Sequence, residues 1–218
     1  MHIPGHGFLS APIAGATWAM AAGALIQSIR NIKSRVTARC FAKAALLAAF
    51  VFVAQLEIFD FPAGGTTAHV IGAMLLVALA GPYAATLIMS TVLTLQWALL
   101  GDGGFVSLGA NIVSMAVVAP WVGWVVYRSI ISMRGGSAIN TVALFVGSWI
   151  SMVAAASVCS LELWTSGASP LNVVLPSMVR AHALAGVVEG AVTITAVFAF
   201  KAVEARISAI IPGGRSFL

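Results

Sequence analysis

Of the 218 residues, 61% are hydrophobic and only 8% charged, the mean hydropathy is +1.04, and the formal net charge is +5. Soluble domains carry about 25% charged residues, so these values exclude a water-soluble globular fold and mark an integral membrane protein. The long apolar runs approach the roughly 20 residues a helix needs to cross a ~30 Å hydrocarbon core, which excludes a barrel built from alternating segments of about ten residues.

In chain order, the apolar runs predict seven membrane-spanning helices: Phe8 to Ile29, Ala42 to Phe59, Thr66 to Ala80, Tyr83 to Leu100, Phe105 to Tyr127, Ile139 to Ser160 and His182 to Phe200. The third is short, and its Thr-Thr-Ala-His start is expected to run into a polar pocket. Irregular backbone at membrane depth is tolerated where protein covers it or it lines a cavity. No internal repeat, low-complexity tract or soluble domain interrupts the pattern, so residues 1–218 read as one all-α polytopic domain. No positively charged segment precedes the first apolar run, and a cleaved signal peptide is not expected.

Charge sets the predicted topology. Arg30, Lys33, Arg35, Arg39 and Lys43 fall between the first two spans, Arg128 and Arg134 between the fifth and sixth, and Lys201, Arg206 and Arg215 after the seventh. The positive-inside rule makes these ends cytoplasmic. Glu57, Asp60, Asp102 and Glu162 lie at the opposite ends, with Arg180 as the basic residue there. The N-terminus is therefore predicted outside and the C-terminus inside. The positive charge then serves topology and contact with anionic lipid, not nucleic acid. Cys40 and Cys159 are placed on opposite faces, about the ~30 Å core apart, whereas a disulfide needs Cα atoms within roughly 7 Å.

The polar residues of the outer end carry the chemistry. The terminal amine of Met1, the backbone nitrogen of His2 and its imidazole can close a five-membered and a six-membered chelate ring on one metal ion. His69, predicted on the same side, supplies a fourth nitrogen. Met1 is expected to be retained, because residue 2 is not small. Four nitrogens near a plane suit Ni(II) and Cu(II), with Co(II) chemically close, better than Mg(II) or Zn(II). Ligand deprotonation predicts affinity that falls at low pH. Taken singly, His2 is an ordinary second residue and His69 a satisfied helix-end imidazole; the shared side is what joins them.

His182 and Glu189 are seven apart and share one face of the last span. A buried Glu needs a proton or a partner. His182 is expected to orient the N-terminal segment or His69, as outer-shell groups commonly fix ligand imidazoles. Ala11, Gly15, Ala19 and Gly23 recur every four residues along the first span, a small-residue stripe that lets helices pack closely within this chain.

Several segments together carry a family likeness. Met-His-Ile-Pro at 1–4, Gly-Phe-Leu-Ser at 7–10, Pro-Ala-Gly-Gly-Thr-Thr-Ala-His at 62–69, Leu-Gly-Asp-Gly-Gly at 100–104, Leu-Gly-Ala-Asn-Ile at 108–112 and His-Ala-Leu-Ala-Gly-Val-Val-Glu-Gly at 182–190 resemble the substrate-binding membrane component of energy-coupling-factor cobalt and nickel transporters, the CbiM/NikM family. The resemblance covers nearly the whole chain. It implies a seven-helix substrate-binding domain in a bacterial inner membrane that captures Co(II) or Ni(II), cobalt first, through Met1, His2 and His69. It implies no organic cofactor and no ATP site of its own. As partners it implies a transmembrane coupling subunit, a pair of cytoplasmic ATPases and a small accessory membrane protein, with the Ala11, Gly15, Ala19 and Gly23 face as a docking surface. One departure is Gly5-His6-Gly7, where family members carry a single acidic residue followed by Gly. His6 is then either an added ligand or a solvated loop residue.

Gly101-Asp102-Gly103-Gly104 reads as a turn, since it lacks the Gly-Lys-Ser/Thr ending of a phosphate loop. Gln55, Gln96 and Asn111 read as interhelical hydrogen-bonding groups, and Trp97, Trp121, Trp124 and Trp164 as interfacial anchors. Two other classes stay open. A self-sufficient metal channel or secondary transporter would place more ionisable groups along its path. A membrane-embedded metal-dependent hydrolase would have to use His182 and Glu189.

Overall fold

The computed structural model describes residues 2–5, 7–33, 36–61, 66–133 and 136–210. The apolar runs become helices α1 (Ala11–Ile32), α2 (Ala38–Ala54), α3 (Ala73–Ala80), α4 (Pro82–Leu100), α5 (Phe105–Asn111), α6 (Ala119–Ile131), α7 (Ser137–Thr165) and α8 (Leu171–Ile210). A π-helical segment, Ile112–Val118, joins α5 to α6 without a break. Among the described residues, five helical stretches are long and apolar enough to cross a membrane: α1, α4, the continuous 105–131 helix, α7, and α8 as far as Arg206. The chain is a multi-pass membrane protein.

Two predicted spans change character. The second, expected to continue to Phe59, ends at Ala54, and the third, expected to be helical from Thr66, begins as a strand. Between α2 and α3 the chain forms an antiparallel hairpin of β1 (Ile58–Phe61) and β2 (Thr66–His69), with Ile58 opposite His69 and Phe61 opposite Thr66. The fold is thus mainly helical with a small sheet, not all-α. Phe, Ile and Thr fit a pleated ladder as readily as an apolar helix, and pairing satisfies the backbone groups that the missing helical turns would have used. At the other end of the chain α8 runs for 40 residues, well beyond the expected His182 to Phe200.

The hairpin leads into the centre of the bundle. Helix α3 has only eight residues, about 12 Å at 1.5 Å per residue, and is apolar on every side, the pattern of a fully enclosed helix. Its residues 73–77 and Leu79 are buried against α4, α6, α7 and α8. Its ends are capped by charges of the sign its dipole prefers. At the start, the backbone N–H groups of Ile71 and Gly72 donate to the two carboxylate oxygens of Glu189 at 2.8 and 2.9 Å. At the end, Lys43 donates to the carbonyl of Leu79 at 2.6 Å. Gly72 itself has φ of +79°, and a Cβ there would meet Val51 at 2.9 Å, so turn geometry and space both require glycine.

Helices α7 and α8 form the most extensive pair, and α6 packs on α7. Gly123 and Gly147 let α6 and α7 approach over α3: a Cβ at Gly147 would lie 3.2 Å from both the Gly123 carbonyl and the Met74 sulfur. Helix α1 packs on α5 through Gly109, where a Cβ would stand 2.8 Å from the Trp18 backbone nitrogen. The buried face of α1 carries Ala14, Thr17, Ala21 and Ser28. Ala11, Gly15, Ala19 and Gly23 lie exposed on the other side, and a Cβ at Gly15 or Gly23 would meet nothing within 4 Å. Close packing of that stripe within this chain is therefore not what the structure shows.

Candidate metal centre

The N-terminal segment is tied to α5 at both its ends, through Ser107 and Asn111. Asn111, expected to bond between helices, instead clamps this segment: its Oδ1 accepts from the Ile3 backbone N–H at 2.9 Å, and its Nδ2 reaches the Ile3 carbonyl at 3.5 Å. The Ser107 hydroxyl donates to the Pro4 carbonyl at 3.1 Å. Ile3 is buried to 1% exposure. Gly5 passes so close to Gly104 that a Cβ on Gly5 would sit 2.8 Å from the Gly104 Cα. The glycine-rich turn thus has a use that its reading as a plain connection missed.

These ties place His2 beside His69. Their ring centroids are 5.0 Å apart with the planes at 65°. His2 Nδ1 lies 2.5 Å from Asp102 Oδ2, and its side chain is 8% exposed. That hydrogen bond holds the Asp102 carboxyl below its ordinary value against the opposing effect of partial burial. His69 ends β2, is 5% exposed, and has Nδ1 2.9 Å from the Val70 carbonyl. A carbonyl can only accept, so Nδ1 carries the proton and Nε2 is the ring nitrogen left for another partner.

The residue that braces the His69 turn is Glu189, through its two hydrogen bonds to Ile71 and Gly72. Gln55 adds a third contact, donating from Nε2 to the Ile71 carbonyl at 2.7 Å. His182, two turns before Glu189, is fully buried and engages its own helix, with Nδ1 2.7 Å from the Met178 carbonyl. The described bond of His182 thus stays within α8, while the turn after His69 is held by Glu189. With both its oxygens engaged by backbone donors, Glu189 is also not placed as the general base of a hydrolase.

Three imidazoles share one property. The Nε2 atoms of His2, His69 and His182 are buried and have no hydrogen-bond partner among the described residues. A buried lone pair without a donor is costly unless a cation or water completes it. No group of three His, Cys, Asp or Glu side chains among the described residues is arranged to hold a metal by itself. Met1 and His6 lie outside the described residues, as do 62–65. Asp102 was legible only as an acid on the outer side, in the Leu-Gly-Asp-Gly-Gly turn; nothing in sequence spacing ties it to a histidine 100 positions away.

The chain matches the family described as cobalt uptake substrate-specific transmembrane region, CbiM, over residues 2–207. It belongs to the CbiM family. Among CbiM relatives, the fused nickel transport protein NikMN of Rhodobacter capsulatus is 34% identical over 210 residues, covering 88% of this chain and 59% of that protein. The cobalt transport protein CbiM of Geobacter sulfurreducens is 32% identical over 201 residues, covering 88% and 57%. The chain therefore spans less than two thirds of the length of either. The crystal structure of a transition metal transporter superposes with a TM-score of 0.85 at 31% identity, covering 98% of this chain and all of that one. These CbiM relatives are named as transport proteins, not enzymes.

Proposed function

We propose that this chain is the substrate-specific membrane component of an ATP-driven importer and captures Co(II), or Ni(II), at the outer face. The observation that carries the reading is the His2–His69 pair, with ring centroids 5.0 Å apart and the His69 Nε2 buried and unpartnered. In this reading the Met1 amine, the deprotonated His2 amide, the His2 imidazole and His69 are the four nitrogens. Tetragonal nitrogen sites suit Ni(II) and its neighbours in the affinity order. Ring closure with the His2 amide uses Nδ1, the atom that Asp102 now holds. Loading thus exchanges the Asp102 bond for the metal, and the carboxylate stays close enough to offset the charge of the ion.

The same reading places the N-terminus outside and the C-terminus inside a bacterial cytoplasmic membrane. It counts seven crossings, with the hairpin and α3 together making the third. It assigns the energy to a pair of cytoplasmic ATPases acting through a transmembrane coupling subunit, with a small accessory membrane protein assisting. The exposed Ala11, Gly15, Ala19 and Gly23 stripe is a surface of the kind that close helix–helix contact uses in lipid, and it is assigned to the coupling subunit.

The test is titration of Co(II) and Ni(II) into the purified protein with its native terminus, beside a version carrying one extra residue before Met1. Tight binding lost on extension is the expected result. Equal binding by both would remove the terminal amine from the site and overturn the chelate.

A further inference from the structure

Glu162 sits in the last turn of α7, 7% exposed, and neither carboxylate oxygen has a hydrogen-bond partner among the described residues. No described salt bridge reaches it; the ion pair recorded joins His2 and Asp102. A carboxylate removed from water in this way requires a proton or a cation. Four residues on, the Ser166 hydroxyl is buried and equally without a partner. Three residues before Glu162 lies Cys159, 2% exposed and within electrostatic range of the Glu162 carboxylate. Spacings of three and four put the three groups on one face of the helix.

Along the helix axis these groups run inward toward the level of His182. Helices α7 and α8 are antiparallel neighbours joined by residues 166–170. Counting outward from this connection, Ser166 and Glu162 lie level with the start of α8, Cys159 near Met178, and Ala155 near His182. Glu162 is therefore on the order of 10 Å along the helix axis from the level of His182. The alternation of the helices puts the 166–170 connection at the same end of the bundle as residues 2–5 and 101–104. Along the axis the groups then run from hydroxyl to carboxylate to sulfur, and further in lies the level of His182, whose Nε2 is buried and without a described partner.

We propose that Glu162, with Ser166 and Cys159, forms a second, low-affinity station for a divalent transition-metal cation, which it passes inward to the His2–His69 centre. This rests on the capture reading above. A carboxylate, a hydroxyl and a sulfur leave most of the coordination sphere to water. The station therefore binds well enough to recruit the ion and weakly enough to release it, as stepwise conduction requires.

The experiment measures Co(II) loading and unloading rates by stopped flow on the full chain in lipid nanodiscs, after equilibrium titration of the same samples. A station on the path lowers the barrier in both directions. Glu162→Gln should then slow loading and unloading together, by about tenfold, and leave the equilibrium affinity within about twofold. Glu162→Asp should restore most of the rate, and Ser166→Ala, which leaves the carboxylate in place, should slow loading by a smaller factor and stands in if Glu162→Gln does not fold. Wild-type rates in Glu162→Gln would overturn the station while leaving capture intact. So would a loss of affinity with unloading unchanged. No saturable Co(II) binding by the wild-type protein would overturn the capture reading, and the station with it.

Discussion

At the scale of single residues, one nitrogen of each imidazole is held: His69 keeps Nε2 for a partner, while His2 has its chelating Nδ1 on Asp102. The Val70 carbonyl and the Asp102 carboxylate each take one ring nitrogen, leaving Nε2 of His69 and of His2 unpartnered. Replacing Asp102 by Asn keeps an acceptor but removes its charge. By analogy with other outer-shell groups, Asp102→Asn should weaken Co(II) affinity by about tenfold. Titration showing unchanged or tighter binding would mean that the carboxylate merely blocks Nδ1. The pH dependence has a definite sign. The hydrogen bond from His2 lowers the Asp102 pKa in the folded state, so its contribution to stability is fully present above the ordinary carboxylate pKa of about 3.9 and is lost as pH falls through the lowered value. Thermal unfolding in detergent should therefore show Tm dropping below about pH 4, and Asp102→Asn should flatten that limb. An unchanged limb in the variant would assign the acid sensitivity elsewhere.

At the scale of elements, the unit that matters is the hairpin with α3 behind it. A strand delivers His69, a glycine of positive φ turns the chain, and a short buried helix anchors the turn. Glu189 accepts from both free amides at the head of that helix. Glu189→Gln puts an NH2 group against one of these donors and leaves it unsatisfied, which should destabilise the fold by about 1–3 kcal/mol. Because the braced residues follow His69 directly, metal affinity should fall as well. A variant with wild-type Tm and affinity would show that the turn holds without the brace. This arrangement was only partly legible in the sequence. The spacing of His182 and Glu189 placed them on one face of one helix. Which of them reaches the His69 turn depends on a contact across more than 100 residues. Likewise an apolar run at 66–80 has the composition of a helix; only pairing with 58–61 makes its first part a strand.

At the scale of the whole molecule, the bundle turns one face of α1 inward and leaves the other uncovered. Gly15→Leu adds bulk where nothing lies within 4 Å. The purified protein should therefore keep its stability within about 0.5 kcal/mol, as surface substitutions usually do. If the stripe docks the coupling subunit, the same variant should no longer co-purify with it, and an intact complex would remove that role. The amino-acid sequence by itself determined the membrane class, most of the helices and the histidines worth watching, because hydrophobic length and residue chemistry are local properties. It also carried the CbiM likeness, since the matched segments are read without coordinates. Only the tertiary structure decided that Asp102 holds His2, that Asn111 and Ser107 pin the N-terminal segment, that Glu189 braces the His69 turn and that the small-residue stripe faces outward. Each of these depends on which groups meet across the bundle, and burial gives such meetings their energy by removing the water that would otherwise satisfy the same groups.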